Sequence, residues 1–131
     1  MHPLRTALEA QEFESAVALL AEEVVLRSPG GFEPYHGREA VELLLTAASR
    51  VLEDFRDQRE IGAPGMRDYA LVFGARVGDR ELDGCVIVHA DERGLIDDLC
   101  VMVRPLSGAR ALAEAMKAEL ELTHLEPSNE S

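Results

Sequence analysis

The longest patterned stretch of the chain covers residues 83–104, where two apolar runs flank a short polar segment. The runs occupy residues 85–90 and 95–103, and the segment DERG at residues 91–94 lies between them. An acidic start and a final glycine suit a four-residue hairpin loop, with the glycine at positive φ. Neither run alternates cleanly with polar residues. The pattern therefore predicts an antiparallel hairpin in a sheet that is covered on both faces.

The strongest helical pattern covers residues 38–55. Its apolar positions recur at intervals of three and four, and they are Val41, Leu44, Leu45, Ala48, Val51, Leu52 and Phe55. Gly37 suits the N-cap, and Glu39 places a favourable charge in the first turn. Shorter helical patterns precede a short strand at residues 24–26 and cover residues 107–122. The chain therefore reads as an α+β domain whose long helix covers one face of the sheet.

A second hairpin precedes the first, because a strand at residues 69–77 reaches the turn Gly78-Asp79 and returns from Arg80. Pairing Val77 with Arg80, and closing the next loop between Ala90 and Leu95, fixes which residues share a face. The face toward the long helix carries Tyr69, Leu71, Phe73, Ala75, Gly84, Val86, Val88, Leu99, Val101 and Val103. The other face carries Val72, Cys85, Ile87, Ile96, Cys100 and Met102, with Asp68 opposite His89.

This second face is apolar at its centre and charged at its rim. One helix cannot cover both faces of the sheet, whereas a homodimer in which two sheets pack face to face would bury the second face. The predicted dimer face consists of Val72, Cys85, Ile87, His89, Cys100 and Met102. The alternative is that the terminal helix at residues 107–122 folds across this face instead.

Composition narrows the function classes. The 131 residues, 47% of them hydrophobic, suffice for one domain over residues 1–131 without disulfides, with a frayed tail at about residues 123–131. The net charge of −12 argues against nucleic-acid and membrane partners. We find no signal peptide pattern and no membrane-spanning run, which predicts a cytoplasmic protein. Cys85 and Cys100 are then reduced, the four histidines are too dispersed for a metal site, and no cofactor is predicted.

Three local segments resemble a known superfamily. They are PYHGREAV at residues 34–41, ADERGLID at residues 90–97 and VMVRPL at residues 101–106. Together with the order of helices and strands from Leu4 to Met116, they resemble the nuclear-transport-factor-2-like superfamily, in its SnoaL-like and ketosteroid-isomerase-like branch. The resemblance implies a cone-shaped α+β barrel in which a long helix packs on a curved antiparallel sheet. It also implies a pocket between helix and sheet and, frequently, a dimer formed sheet to sheet.

Ketosteroid isomerases use a general-base aspartate, a tyrosine and a protonated aspartic acid. The resemblance places these groups at Ser28, near Leu4 and at Val86. A serine needs its own base to accept a proton, and valine forms no hydrogen bond, so this steroid chemistry is not expected. Whether the protein is an enzyme stays open. The remaining acid–base candidates are His36, otherwise explained by the turn into the long helix, and Asp97, otherwise a solvated residue near the loop tip.

The predicted pocket is apolar, and Tyr35 and Tyr69 are its polar handles. Its predicted lining is Ser28, Phe32, Tyr35, Tyr69, Phe73, Val86, Leu99, Val101 and Val103. The first hypothesis is a SnoaL-like protein that binds a hydrophobic small molecule. The alternatives are an isomerase, cyclase or hydrolase acting on a polyketide-, steroid- or terpene-like substrate, and a structural dimerisation module with a filled core.

Overall fold

The computed structural model describes residues 3–10, 12–29, 33–63 and 65–122, with the backbone alone for Glu9 and Phe13. The helices are α1 (Pro3–Ala10), α2 (Phe13–Ala18), α3 (Arg38–Val51) and α4 (Leu106–Leu122). The strands are β1 (Leu20–Arg27), β2 (Tyr35–His36), β3 (Glu53–Ile61), β4 (Asp68–Val77), β5 (Arg80–Ala90) and β6 (Ile96–Arg104). None of the described helices has the length and apolar character of a membrane span. The tail predicted to fray lies outside the described residues.

All six strands form one sheet, in the order β2-β1-β6-β5-β4-β3. The predicted antiparallel character holds for every neighbouring pair except β1 and β6, which run parallel. Strand β1 is also longer than the three residues predicted: it begins at Leu20, and it buries Leu20 and Ala21 near its start as well as Val24 and Leu26. The sheet thus encloses a core on one face, under the helices.

Helix α3 is shorter than its apolar pattern predicts. Gly37 is its N-cap, as expected, with φ at 98°, a conformation that glycine adopts without strain. The helix ends at Val51, because Leu52 already has extended backbone angles. Phe55 therefore belongs to β3, where its ring stacks on Phe73 with centroids 5.0 Å apart. The prediction that the helix extends to residue 55 is therefore wrong. The apolar pattern does not separate the two possibilities, because a helix and a strand can both direct the Phe55 ring toward the core.

The two hairpins agree with the predicted pairing to different degrees. Val77 lies opposite Arg80, which confirms the register of β4 and β5. In the second hairpin Gly84 lies opposite Val103, two residues away from the predicted pairing. The loop is longer than four residues because the Asp91 carboxylate accepts hydrogen bonds from the backbone N–H groups of residues 93 and 95, at 2.9 and 3.0 Å. These bonds order a wider loop.

An irregularity at the start of β6 explains the shift. Ala90 pairs with Ile96 and His89 pairs with Asp98, which leaves Asp97 as the extra residue. From Asp98 onward the shift of two residues preserves the predicted faces. Ile96, however, is 1% exposed in the core, and Asp97 hydrogen-bonds His89 on the other face. The predictions that Ile96 faces away from the core and Asp97 faces the long helix are therefore wrong.

Helices α3 and α4 lie on the same side of the sheet. Helix α4 buries Gly108, Leu112 and Leu120, and a β-carbon on Gly108 would lie only 2.9 Å from the β-carbon of Leu82 in β5. The alternative in which the terminal helix covers the second face is therefore wrong. That face, here called the outer face, includes Ile87 and Met102, which are 41% and 52% exposed. No described helix lies over it.

Candidate ligand cavity

A cavity of about 470 Å³ lies between α3, α4 and the helix-covered face of the sheet. This volume falls within the range of small-molecule sites in proteins. Its apolar lining consists of Leu26, Pro29, Leu44, Leu45, Ala48, Leu52, Phe73, Val101, Leu112, Ala113, Met116 and Leu120. Its polar lining consists of Ser28, Glu33, Tyr35, Glu114 and Lys117. The cavity is therefore an apolar chamber with few polar groups.

The wall near the sheet edge is formed by β1, β2 and the residues after β1. Leu26 borders the cavity, and Ser28, two residues later along the chain, borders it as well. Tyr35 lies opposite Leu26 in the short β2 strand, which brings its ring to the same wall. The direction of β1 and a single cross-strand pair thus place Ser28 and Tyr35 on one wall.

The opposite walls come from helix faces. On α3 the buried residue Leu44 borders the cavity together with Leu45 and Ala48, and Leu52, just after the end of the helix, borders it as well. On α4 Leu112 and Met116 face the cavity one helical turn apart. The two helices thus supply much of the apolar lining of the cavity.

The polar groups of the cavity differ in exposure. Glu33, Glu114 and Lys117 are exposed and form a charged rim, whereas Tyr35 is half-buried. Burial raises the pKa of the Tyr35 phenol, so this group keeps its proton around neutral pH and donates a hydrogen bond. The wall can therefore bind an acceptor oxygen.

The structure brings part of the predicted pocket together. Ser28, Tyr35, Phe73 and Val101 border the cavity. Tyr69, Val86, Leu99 and Val103 do not border it. Phe32 lies outside the described residues. The sequence-based set drew residues from along the whole inner face of the sheet. The cavity borders only part of that face.

Tyr69 and Val86 lie in other parts of the core. Val86 borders a second cavity of about 10 Å³, with room for little more than one water molecule. Tyr69 is 8% exposed, and burial, with a smaller contribution from the Glu60 carboxylate, raises its pKa. Arg5 forms an ion pair with Glu60 at 3.5 Å and donates a hydrogen bond to Asp57 at 2.5 Å. Of these polar groups, Arg5 and Asp57 border the second cavity, which is too small for a ligand.

The candidate acid–base residues do not border the cavity. His36 is exposed and lies opposite Val25, while its neighbour Tyr35 contributes to the cavity wall. Asp97 is bound to His89 at 2.6 Å, and this hydrogen bond raises the histidine pKa. Within the described residues, no group of three His, Cys, Asp or Glu side chains could hold a metal ion.

The structure also shows where the three positions that correspond to the catalytic groups of ketosteroid isomerases lie. Ser28 borders the cavity, whereas Leu4 and Val86 are buried at 2% and 9% exposure and do not border it. The main residues that sequence reasoning missed are those of α3 and α4. Their signal is present, because Leu45, Leu52 and Met116 widen the apolar stripes beyond what sheet packing needs.

Solved structures show which family shares this arrangement. A steroid delta-isomerase from Pseudomonas aeruginosa is 36% identical over 92% of this chain and 88% of that chain, with a TM-score of 0.86. The chain belongs to the NTF2-like superfamily. A bacterial protein with a cystatin-like fold from Silicibacter pomeroyi is 30% identical over 91% of this chain and 83% of that one, with a TM-score of 0.84.

A more distant NTF2-like neighbour shares the fold alone. It is a protein with a ketosteroid isomerase-like fold from Catenulispora acidiphila in complex with trimethylamine, 12% identical over 86% of this chain and 89% of that chain, with a TM-score of 0.61. No protein-family model and no curated protein matches the sequence. The comparisons confirm the predicted SnoaL-like, ketosteroid-isomerase-like branch and its fold class, a cone-shaped α+β barrel with a long helix on a curved, mainly antiparallel sheet.

Proposed function

We propose that this NTF2-like protein binds a small, predominantly apolar organic molecule in the cavity between α3, α4 and the sheet. The observation that carries the proposal is a cavity of about 470 Å³ with an almost wholly aliphatic and aromatic lining. Such a space is unfavourable to leave poorly packed, because its lining loses dispersion contacts. The alternative of a structural dimerisation module with a filled core does not account for this cavity. A bound apolar molecule restores these contacts.

In the proposed binding mode, the wall that carries Ser28 and Tyr35 orients the ligand. The protonated phenol of Tyr35 donates to an acceptor oxygen of the ligand, such as a ketone or ether, while Phe73 and Val101 contact its carbon skeleton. Glu33 and Glu114 outnumber Lys117 at the rim, which disfavours anionic ligands. The ligand class is therefore a neutral or cationic apolar molecule.

The binding proposal is tested with N-phenyl-1-naphthylamine, a neutral fluorescent apolar probe. We expect saturable binding of one probe per chain, and a loss of affinity of at least about tenfold in Ala113→Phe, because the added ring fills the cavity. The matched control is Ala118→Phe, on the exposed side of the same helix, which is expected to bind like the unchanged protein. Absence of saturable binding, or equal losses in the two variants, would refute the proposal.

An isomerase is the second candidate, favoured by the 36% identity to the Pseudomonas aeruginosa steroid delta-isomerase. Ser28 and Val86 argue against the same chemistry here, since neither supplies a carboxyl group. The test is conversion of a β,γ-unsaturated 3-ketosteroid to its conjugated isomer, followed by ultraviolet absorbance. Turnover proportional to protein concentration, and reduced in Tyr35→Phe, would establish the enzyme. A rate equal to that of buffer would leave binding as the function.

We also propose that the protein is a homodimer in which the outer face of each copy is covered by the other. Ile87 and Met102, 41% and 52% exposed, stand among half-buried Val72, Cys85 and Cys100 on this face, and the charges lie at its two ends. A contiguous apolar patch with a polar rim is typical of protein interfaces. Light scattering coupled to size exclusion tests this proposal, and a monomer would refute it. The cytoplasmic location and the single-domain organisation remain predictions.

A further inference from the structure

Two cavities lie side by side on the inner face of the sheet, and they border different strands. The ligand cavity borders β2, β1 and β6 through Tyr35, Leu26 and Val101. The second cavity, of about 10 Å³, borders β5, β4 and β3. Among the described residues, Phe73 alone borders both cavities. Its ring therefore separates the ligand cavity from the second cavity.

Phe73 reaches the ligand cavity because its ring lies across the neighbouring strand. Gly84 of β5 is the cross-strand partner of Phe73, and a β-carbon on Gly84 would lie 2.2 Å from Cζ of that ring. The tip of the ring thus occupies the space that a side chain of residue 84 would take. Strand β5, all of whose residues are described, contributes none of the lining of the ligand cavity. The ligand cavity therefore ends at the Phe73 ring, over β5.

The ring is also supported from the side of the second cavity. Phe55, which borders the second cavity, stacks on Phe73 with ring centroids 5.0 Å apart. Beyond it, Arg5 of α1 donates a hydrogen bond of 2.5 Å to Asp57 of β3, and both residues border the second cavity. This contact holds α1 against β3. Phe73 is 6% exposed and packed on both Gly84 and Phe55, so its ring is a fixed wall.

We propose that Phe73 is the specificity-determining residue of the ligand cavity, and that its ring limits the length of the bound molecule. This inference rests on the proposed function, in which Tyr35 on β2 binds an acceptor oxygen of the ligand. Three strand spacings of about 4.8 Å, or about 14 Å in all, separate β2 from β5. An apolar body of that length contacts Leu26 and Val101. A longer body meets the ring and leaves part of its surface in water.

The expected ligand is therefore a compact ketone or ether and not a long-chain lipid. The second cavity would accept the end of a longer chain if the ring were absent, because Leu71 and Val86 give it apolar walls. The Phe73 side chain thus selects against ligands that the same fold could otherwise hold.

The test is a series of 2-alkanones, from 2-octanone to 2-tetradecanone, that displace N-phenyl-1-naphthylamine. Each added methylene raises the affinity about fourfold while it is buried. For the unchanged protein we expect the affinity to stop rising within the series. For Phe73→Ala we expect it to keep rising, so that the ratio of the affinities for 2-tetradecanone and 2-octanone increases at least about tenfold. A general loss of affinity cancels in this ratio.

The matched control is Leu71→Ala. Leu71 lies on the same strand as Phe73, is 5% exposed and borders the second cavity. Its truncation enlarges the second cavity and leaves the Phe73 ring in place, so the ratio is expected to equal that of the unchanged protein. Phe73→Leu keeps an apolar side chain without the ring, and replaces Phe73→Ala if that variant does not fold by circular dichroism. It is expected to change the ratio in the same direction.

A second measurement locates the end of the chain directly. Nuclear Overhauser effects are recorded between the terminal methyl group of 2-tetradecanone and the methyl groups of Val86, which borders the second cavity. We expect none in the unchanged protein and a clear effect in Phe73→Ala or Phe73→Leu.

Four results would overturn the inference. Absence of saturable probe binding to the unchanged protein would remove the proposed function together with it. Probe binding with an affinity that rises through the whole series, or with the same ratio in both Phe73 variants, would leave the binding function and remove the role of Phe73. An equal change of the ratio in Leu71→Ala would assign the limit to general loosening of the core. An effect at Val86 in the unchanged protein would show that the ring does not close the cavity.

Discussion

Gly84 lies under the aromatic ring that borders the cavity, and adding one methyl group there gives a sharp test of the packing. A β-carbon at residue 84 would lie 2.2 Å from Cζ and 2.5 Å from Cε1 of Phe73. The ring must therefore move, although its other side is stacked on Phe55 at 5.0 Å. Overpacking of this kind costs about 1–3 kcal/mol, and replacing a strand glycine by alanine returns about 0.5–1 kcal/mol. We expect Gly84→Ala to lower the free energy of unfolding by about 1–2 kcal/mol.

The measurement is urea denaturation of Gly84→Ala beside a matched control, Gly74→Ala. A β-carbon at residue 74 would also meet atoms at 2.7 and 2.8 Å, but these are the ends of the Gln58 and Arg56 side chains, which can move away. We expect the control to change the stability little. A double-mutant cycle with Phe73→Leu should remove most of the Gly84→Ala cost. Equal stabilities of the two alanine variants would refute the packing described for Phe73.

Three further predictions concern the histidine pair and the cavity. The hydrogen bond that protonated His89 donates to the Asp97 carboxylate raises the pKa of His89. The contribution of this bond to stability is therefore present below the unfolded-state pKa and is lost as pH rises through the folded-state pKa; NMR titration should show Asp97→Asn lowering the folded-state pKa. Leu112→Ala should destabilise the fold by about 2–3 kcal/mol in urea denaturation, because it enlarges the cavity, and an unchanged stability would contradict this. Tyr35→Phe should weaken binding of 2-acetylnaphthalene about tenfold and leave that of 2-ethylnaphthalene unchanged in fluorescence titrations, whereas equal losses would argue against the proposed hydrogen bond.

Sequence patterns predicted the parts of the fold that depend on local chemistry. The turn at residues 78–79 fixed the first hairpin, and Gly37 fixed the start of α3. The register of the second hairpin differs from the predicted register by two residues. The hydrogen bonds that the Asp91 carboxylate accepts widen the loop, and an apolar pattern does not reveal them. Phe55 illustrates a different limit, since one aromatic residue at the end of an apolar stripe suits a helix and a strand equally well.

The cavity was harder to predict than the fold for a geometric reason. Alternation along a strand shows which residues face inward, and Phe73 and Leu99 both do so. It cannot show that the helices leave a gap over Phe73 while they cover Leu99, which is 2% exposed. That distinction depends on how α3 and α4 are placed over the sheet, which is set by contacts between residues distant in the chain.

The edges of the sheet limit how two copies can meet. At one edge β2 is only two residues long, and at the other β3 reads EDFRDQREI, with charged side chains at most positions. Short or charged edge strands resist the addition of a foreign strand, which is the route to open-ended aggregates. Hydrogen bonds between the edge strands of two copies are therefore disfavoured. Association through the outer face, by contrast, ends with two copies, because each covers the face of the other.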